Sequence, residues 1–300
     1  MTGHSLSLAA GDLTAVFLPG QGMLGASLRH RGEEILRRVD DLEQAAARGS
    51  TAGIPLLHPW ANRLSGTRYR AAGREVVLDL RSPLLHLDAQ GLPMHGVSWA
   101  RLAWEVTRST SHRITARLEW HRADLRAIFP YPHVVEMEAT LQPDGLTIAT
   151  TLDAGLEGPV PVSFGFHPYV GLPGLPRAEW RLSLPAMRRL ELDPHGIPTG
   201  GDTAFEGFDG PLGDAAFDDG FARVAAGGAF ALTGGGRRVT VELLSGYPFA
   251  QIFAPAGKDF VALEPMTAPT NALTTGRSLP IAAPGERVTA VFRVLVEDAA

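Results

Sequence analysis

The sequence predicts an all-β protein, a sandwich of large antiparallel sheets with few short helices, forming one domain over residues 1–300. Apolar and polar residues alternate with period two in many short runs, the pattern of strands with one covered face. The chain holds 34 Gly and 23 Pro, enough turn formers to separate at least a dozen such strands. No linker, low-complexity tract or short repeat divides it, and all-β domains often run past about two hundred residues as one unit.

Residues 6–36 read as antiparallel strands turned at Gly11-Asp12 and Arg31-Gly32, with Leu13, Ala15 and Phe17 alternating against Thr14 and Val16. Residues 40–48, rich in Ala, Leu, Glu and Gln, read as a short helix or a structured loop. An apolar run from Gly53 then ends in the Pro-punctuated His58-Pro59-Trp60-Ala61-Asn62-Arg63. The centre is the clearest β territory. Ile114, Ala116, Leu118 and Trp120, then Met137, Ala139 and Leu141, then Leu146, Ile148 and Thr150 recur at every second position, and Pro143-Asp144-Gly145 is a turn joining the last two runs. Trp180, Leu182 and Leu184 resume the alternation. Residues 192–200 and 205–216, rich in Gly, Pro and Asp, read as irregular loops. Val239, Val241 and Leu243 alternate again, and strands over 249–253, 260–264 and 288–296 complete the chain.

Composition narrows the function. With 45% hydrophobic and 20% charged residues the chain is globular rather than disordered. A formal net charge of −5, with no Lys/Arg cluster interleaved with aromatics, argues against nucleic acid and against a polybasic membrane contact. The absence of cysteine excludes disulfides, thiolate catalysis and Cys-ligated metal, and fits a reducing compartment. Residues 1–8 lack the basic-then-apolar pattern of a secretory leader, and the long uncharged run 158–176 is broken by five prolines and four glycines, so it is no spanning helix. A cytoplasmic protein is expected, a monomer or homodimer whose partner is a small molecule.

The stretch Val261 to Ala272 stands out. An apolar run leads into Glu264, and Pro265 removes a backbone donor, so Glu264 is expected at the lip of a strand, facing a cavity as a general base would. His167 has the same context, delivered after Phe164-Gly165-Phe166 and followed by Pro168. An imidazole beside aromatics in a partly dry site can titrate near neutrality. His95, between Met94 and Gly96, is aimable into a pocket because glycine permits close approach. Asn62-Arg63 places a guanidinium beyond a strand, where its planar fork suits vicinal hydroxyls. Within Phe217-Asp218-Asp219-Gly220-Phe221 a carboxylate can accept from ligand hydroxyls, though a turn-forming Asp pair explains it equally. Taken singly, a solvated Glu, a satisfied core His and a surface Arg explain the other positions as well.

Together, Asn62-Arg63, Met94-His95-Gly96, Phe166-His167-Pro168-Tyr169, Phe217-Asp218 and Glu264-Pro265-Met266-Thr267-Ala268-Pro269-Thr270-Asn271 resemble the ordered motif series of aldose 1-epimerases, the galactose mutarotase family. The series spans about 53–271. The resemblance implies a galactose mutarotase-like β-supersandwich with an open cleft across one sheet, a free aldose as substrate and no cofactor or metal. It implies Glu264 as general base, His167 as general acid, His95 near the sugar's ring oxygen, and Arg63, Asn62 and Asp218 on substrate hydroxyls. The chain departs from the family where Asp218-Asp219 stands for Asp-His, which makes Asp219 a competitor, and at His58-Pro59-Trp60 before Asn-Arg, where His58 either lines the cleft or packs.

The chemistry requires such a set. Exchange of α and β anomers removes the O1 proton while the ring oxygen gains one, opening the C1–O5 bond; rotation about C1–C2 and reclosure complete it. Glu264 as carboxylate and His167 as imidazolium would supply the two transfers. Other readings use the same residues: a metal site of His95, His167, Asp218 and Glu264, a non-catalytic sugar-binding module, or an epimerase of hexose 6-phosphates, for which Arg177, Arg188 and Arg189 are candidate phosphate ligands.

Overall fold

A computed structural model describes residues 5–39, 41, 44–45 and 51–299. Residues 40–48 lie largely outside that set. Strand makes up 52% and helix 7%, and every pair of named strands is antiparallel, as the period-two pattern requires.

Two large sheets form the sandwich. In the nine-stranded sheet, Glu105–Ser109, Arg113–Glu119, Val134–Gln142 and Gly145–Asp153 follow one another as a meander. The last strand, Arg287–Asp298, then lies between Gly145–Asp153 and Arg237–Ser245, and Gly228–Gly234, Arg181–Leu184 and Phe208–Pro211 finish the order. The eight-stranded sheet runs Pro198–Phe205, Met187–Leu192, Phe217–Ala222, Phe249–Ala254, Val261–Met266, Gly165–Phe166, Leu56–Leu57, with Tyr169–Val170 also paired to Val261–Met266. A smaller sheet of four strands, Leu6–Ala10, Leu13–Leu18, Leu24–His30 and Glu33–Glu34, holds the N-terminal region.

The alternating residues seal the space between the layers. Ile114, Ala116, Ile148, Val241 and Phe292 of one sheet and Ala250, Ile252, Leu263 and Phe166 of the other are at most 1% exposed. Phe166 meets Phe292 across the gap at 5.0 Å between ring centroids. Each such aromatic or aliphatic side chain contributes roughly 1.5–3 kcal/mol by leaving water. The Pro143-Asp144 turn closes a hairpin in register Gln142 to Gly145, as the sequence predicts.

Two local expectations are corrected. Residues 192–200 and 205–216 are not wholly irregular: Pro198–Phe205 is an edge strand paired with Met187–Leu192, and Phe208–Pro211 pairs with Arg181–Leu184. Pro198–Phe205 has no buried residue, so it carries no apolar alternation to read. Pro265 does not end its strand, which runs to Met266. The amides of Leu263 and Thr267 bond Pro168 and Phe164, and Pro265 lies between them on the same edge of the strand. Its missing donor falls where the neighbouring chain breaks between Phe166 and Tyr169, so no ladder bond is lost.

Candidate active site

The pleat of three adjacent strands builds the floor of a cleft on the outer face of the eight-stranded sheet. Val261 and Leu263 point into the sandwich core, so Ala262, Glu264 and Met266 take the other face. Gln251 lies directly across from Glu264, and Asp218 directly across from Phe253, which puts all four on that face. Asp219 takes the opposite face, 3.5 Å from Arg189 Nε, so of the two carboxylates Asp218 is the one that lines the cleft. The segment is strand Phe217–Ala222, not a turn. Gln251 Nε2 donates to Asp218 Oδ1 at 2.7 Å.

Glu264 is therefore a mid-strand residue, 2% exposed. His167, at the break after Gly165–Phe166, puts Nε2 3.1 Å from Glu264 Oε1. Tyr169 stacks on the His167 ring at 4.2 Å, and its hydroxyl is held by the Thr51 hydroxyl. Glu264 Oε2 and His167 Nδ1 are buried with no hydrogen-bond partner among the described residues. Burial pushes the Glu264 carboxyl well above the usual carboxylate range; nearby Asp218 pushes the same way and Arg63 opposes. Burial, with His95 adding to it, pushes His167 well below 6.5, so the expectation of an imidazole near neutrality is corrected.

His95 stands edge-on to His167 at 5.5 Å between ring centroids. Its Nδ1 accepts the Asn62 amide at 3.2 Å, which leaves the neutral ring its proton on Nε2. Burial, then Arg63 and His86, hold it at about 3. Gly96 has φ +68°, and a Cβ there would lie 2.4 Å from the His58 carbonyl, so only glycine lets this loop seat. Arg63 donates from Nε to Asp88 Oδ2 at 2.8 Å and from Nη1 to Asn62 Oδ1 at 3.3 Å. Asp88 is itself fixed by the amides of Gln90 and Leu92. Asn271 braces the same loop, giving its amide to Arg63 O and accepting from Ser65 N.

Arg63, Asn62, His95, His167, Asp218 and Glu264 thus converge on one open cleft. His58 lies elsewhere: it packs in the core edge-on to Trp120, with Nε2 2.9 Å from His133 Nε2. Among the described residues no three His, Asp or Glu side chains are placed to hold a metal ion, and no helix is long and apolar enough to cross a membrane. Sequence reasoning missed Asp88, Gln251 and the stacking role of Tyr169. Tyr169 follows His167-Pro168 directly, while Asp88 had only the turn before Met94-His95-Gly96 as a signal.

The arrangement defines a class: a two-sheet β-sandwich carrying a buried carboxylate–imidazole pair in an open cleft. Residues 4–295 match the aldose 1-epimerase family, and the chain belongs to it. Solved structures agree on the fold. A galactose mutarotase-like protein from Clostridium acetobutylicum superposes with TM-score 0.85 at 18% identity, over 98% of this chain and 95% of that one. An aldose epimerase homologue from C. elegans gives 0.80 at 16%, over 99% of each. A galactose 1-epimerase from Lactobacillus acidophilus NCFM gives 0.74 at 14%, over 97% and 93%. Comparison with curated proteins finds no match.

Proposed function

We infer that the chain exchanges the α and β anomers of a free aldose, with Glu264 and His167 making the two proton transfers. The observation that carries this is the 3.1 Å contact between His167 Nε2 and Glu264 Oε1 at the floor of the cleft. The transfers need one proton shared by the pair, and burial, which raises the Glu264 carboxyl and lowers the His167 imidazole, disfavours its separation into carboxylate and imidazolium until a sugar binds. A sugar O1 hydroxyl donating to the free Glu264 Oε2 stabilises the carboxylate and draws the proton across to His167. Glu264 then takes the O1 proton while His167 protonates the ring oxygen, the C1–O5 bond opens, and reclosure on the other carbonyl face reverses both transfers. Arg63, Asn62, His95 and Asp218 orient the sugar and keep the open chain in place.

A free sugar is favoured over a 6-phosphate by where the other arginines go. Arg177 is buried with its guanidinium on the carbonyls of Gly213, Ala215 and Lys258, and Arg188 pairs with Asp202. Arg189 faces Asp219 on the far side of the sheet. Polarimetry on freshly dissolved α-glucose and α-galactose tests the reading: the chain accelerates the approach to equilibrium, and Glu264→Gln, of equal volume, loses roughly 10²–10⁴ of that rate. A variant as fast as the parent would refute it.

A further inference from the structure

Beyond His95 the cleft opens into a smaller recess. It shares Thr51, His86, Met94 and His95 with the cleft and is closed by Leu57, Val97 and Trp99, which are 1–4% exposed. Its walls are mainly apolar, with room for one methyl-sized group. Two of the polar groups at its mouth are already engaged: the Thr51 hydroxyl with Tyr169, and His95 Nδ1 with the Asn62 amide. His86 and Ser98 complete the wall.

The recess lies on a defined side of the acid–base pair. His95 adjoins His167, whereas Gln251, in register with Glu264, and Asp218, bonded to Gln251, lie on the Glu264 side. With the ring oxygen at His167 and O1 at Glu264, C5 and its substituent run toward His95, and the hydroxyls at C2 and C3 run toward Gln251 and Asp218. We propose that the recess is a subsite for a methyl group on C5, so that 6-deoxy aldoses are the preferred substrates of this chain. The assignment rests on the anomer-exchange reading above. A methyl there leaves water for Leu57, Val97 and Trp99. A hydroxymethyl group gives up its water against mainly apolar walls, and a phosphate meets no Lys or Arg among the described residues lining the recess.

The test compares sugars that differ only at C6: D-fucose against D-galactose, and 6-deoxy-D-glucose against D-glucose, with glucose 6-phosphate as a third arm. Anomer exchange is followed by NMR. The 6-deoxy sugar is expected to show kcat/KM at least about tenfold higher in each pair, the phosphate being slowest. Leu57→Phe, which fills the recess, brings the 6-deoxy to hexose ratio down to about one; if circular dichroism shows that variant unfolded, Val97→Leu serves instead. Saturation transfer from protein to the fucose methyl reports occupancy without turnover. Turnover with hexoses equal or better overturns the subsite and leaves anomer exchange standing. Transfer to the methyl without turnover supports the subsite and overturns the exchange reading; absence of both overturns both.

Discussion

His167 Nε2 and Glu264 Oε1 face each other at 3.1 Å with side chains only 6% and 2% exposed, so the two titrate as one coupled pair. The acid limb of the pH profile is the gain of a second proton, which burial of His167 holds off until well below 6.5. The alkaline limb is the loss of the last one, which burial of Glu264 delays to well above 4.5. A kcat/KM profile for α-glucose, corrected for buffer catalysis, is expected to show no acid limb near 6.5. An acid limb centred at 6.5 would mean that His167 titrates as a solvated imidazole, and would sink the account.

Folding stability should decline in acid. Burial lowers the folded-state pKa of His58, His95, His133 and His167, to about 3 for His95 and about 4 for His133. Below 6.5 the unfolded chain binds protons that the folded chain refuses, so stability is lost as pH falls, by about 1.4 kcal/mol per pH unit for each imidazole. Glu264 works the other way: its raised value makes the folded chain the better proton binder, and that contribution is lost as pH rises above about 4.5. Four imidazoles outweigh the two raised carboxyls, Glu264 and Asp219. Urea midpoints at pH 7, 6 and 5 should fall in that order; a level series contradicts the neutral imidazoles.

Asp88 orients the cleft arginine without itself needing the sugar. Asp88→Ala frees Arg63 Nε from its 2.8 Å bond and lets the fork swing. Losing one charge-assisted bond of this kind corresponds to about tenfold or more. The change is expected mainly in KM, with kcat moving less, and initial-rate kinetics on glucose would separate the two. A kcat loss equal to that of Glu264→Gln would place Arg63 in the proton transfer itself.

Gly96→Ala should be among the most damaging single-methyl changes. The added Cβ would lie 2.4 Å from the His58 carbonyl at a φ of +68°, so both sterics and backbone conformation oppose it. A cost of about 1–3 kcal/mol from the strained backbone alone is expected. It is measurable as a shifted urea midpoint, accompanied by lost activity as His95 is displaced. A variant with the parent midpoint would show the loop to be pliable.

Much of this was legible in the sequence. Period-two alternation located the central strands because each has one face sealed against the other sheet, as Ile114 and Ile148 are. The chemistry-bearing residues were legible as an ordered set, since His95, His167 and Arg63 sit at breaks or turns marked by Gly, Pro or Asn and Glu264 precedes a proline. The depth of Glu264 was not. Pro265 reads as a stop, and only the interrupted neighbour between Phe166 and Tyr169 lets it stay in the strand. Asp88 and Gln251 were missed because their partners are remote in sequence, 25 residues away at Arg63 and 33 at Asp218. The edge strand Pro198–Phe205 had no buried face to leave a pattern.

Arg287–Asp298, the last of these strands in chain order, sits in the middle of the nine-stranded sheet, flanked by Gly145–Asp153 and Arg237–Ser245. Two half-sheets must wait with unpaired backbone edges until those residues emerge, and closing them joins segments some 140 positions apart, counted from Ile148 and Phe292. Completion of the large sheet therefore waits on that one strand. Removing that one strand would leave two sticky fragments rather than a slightly shorter enzyme.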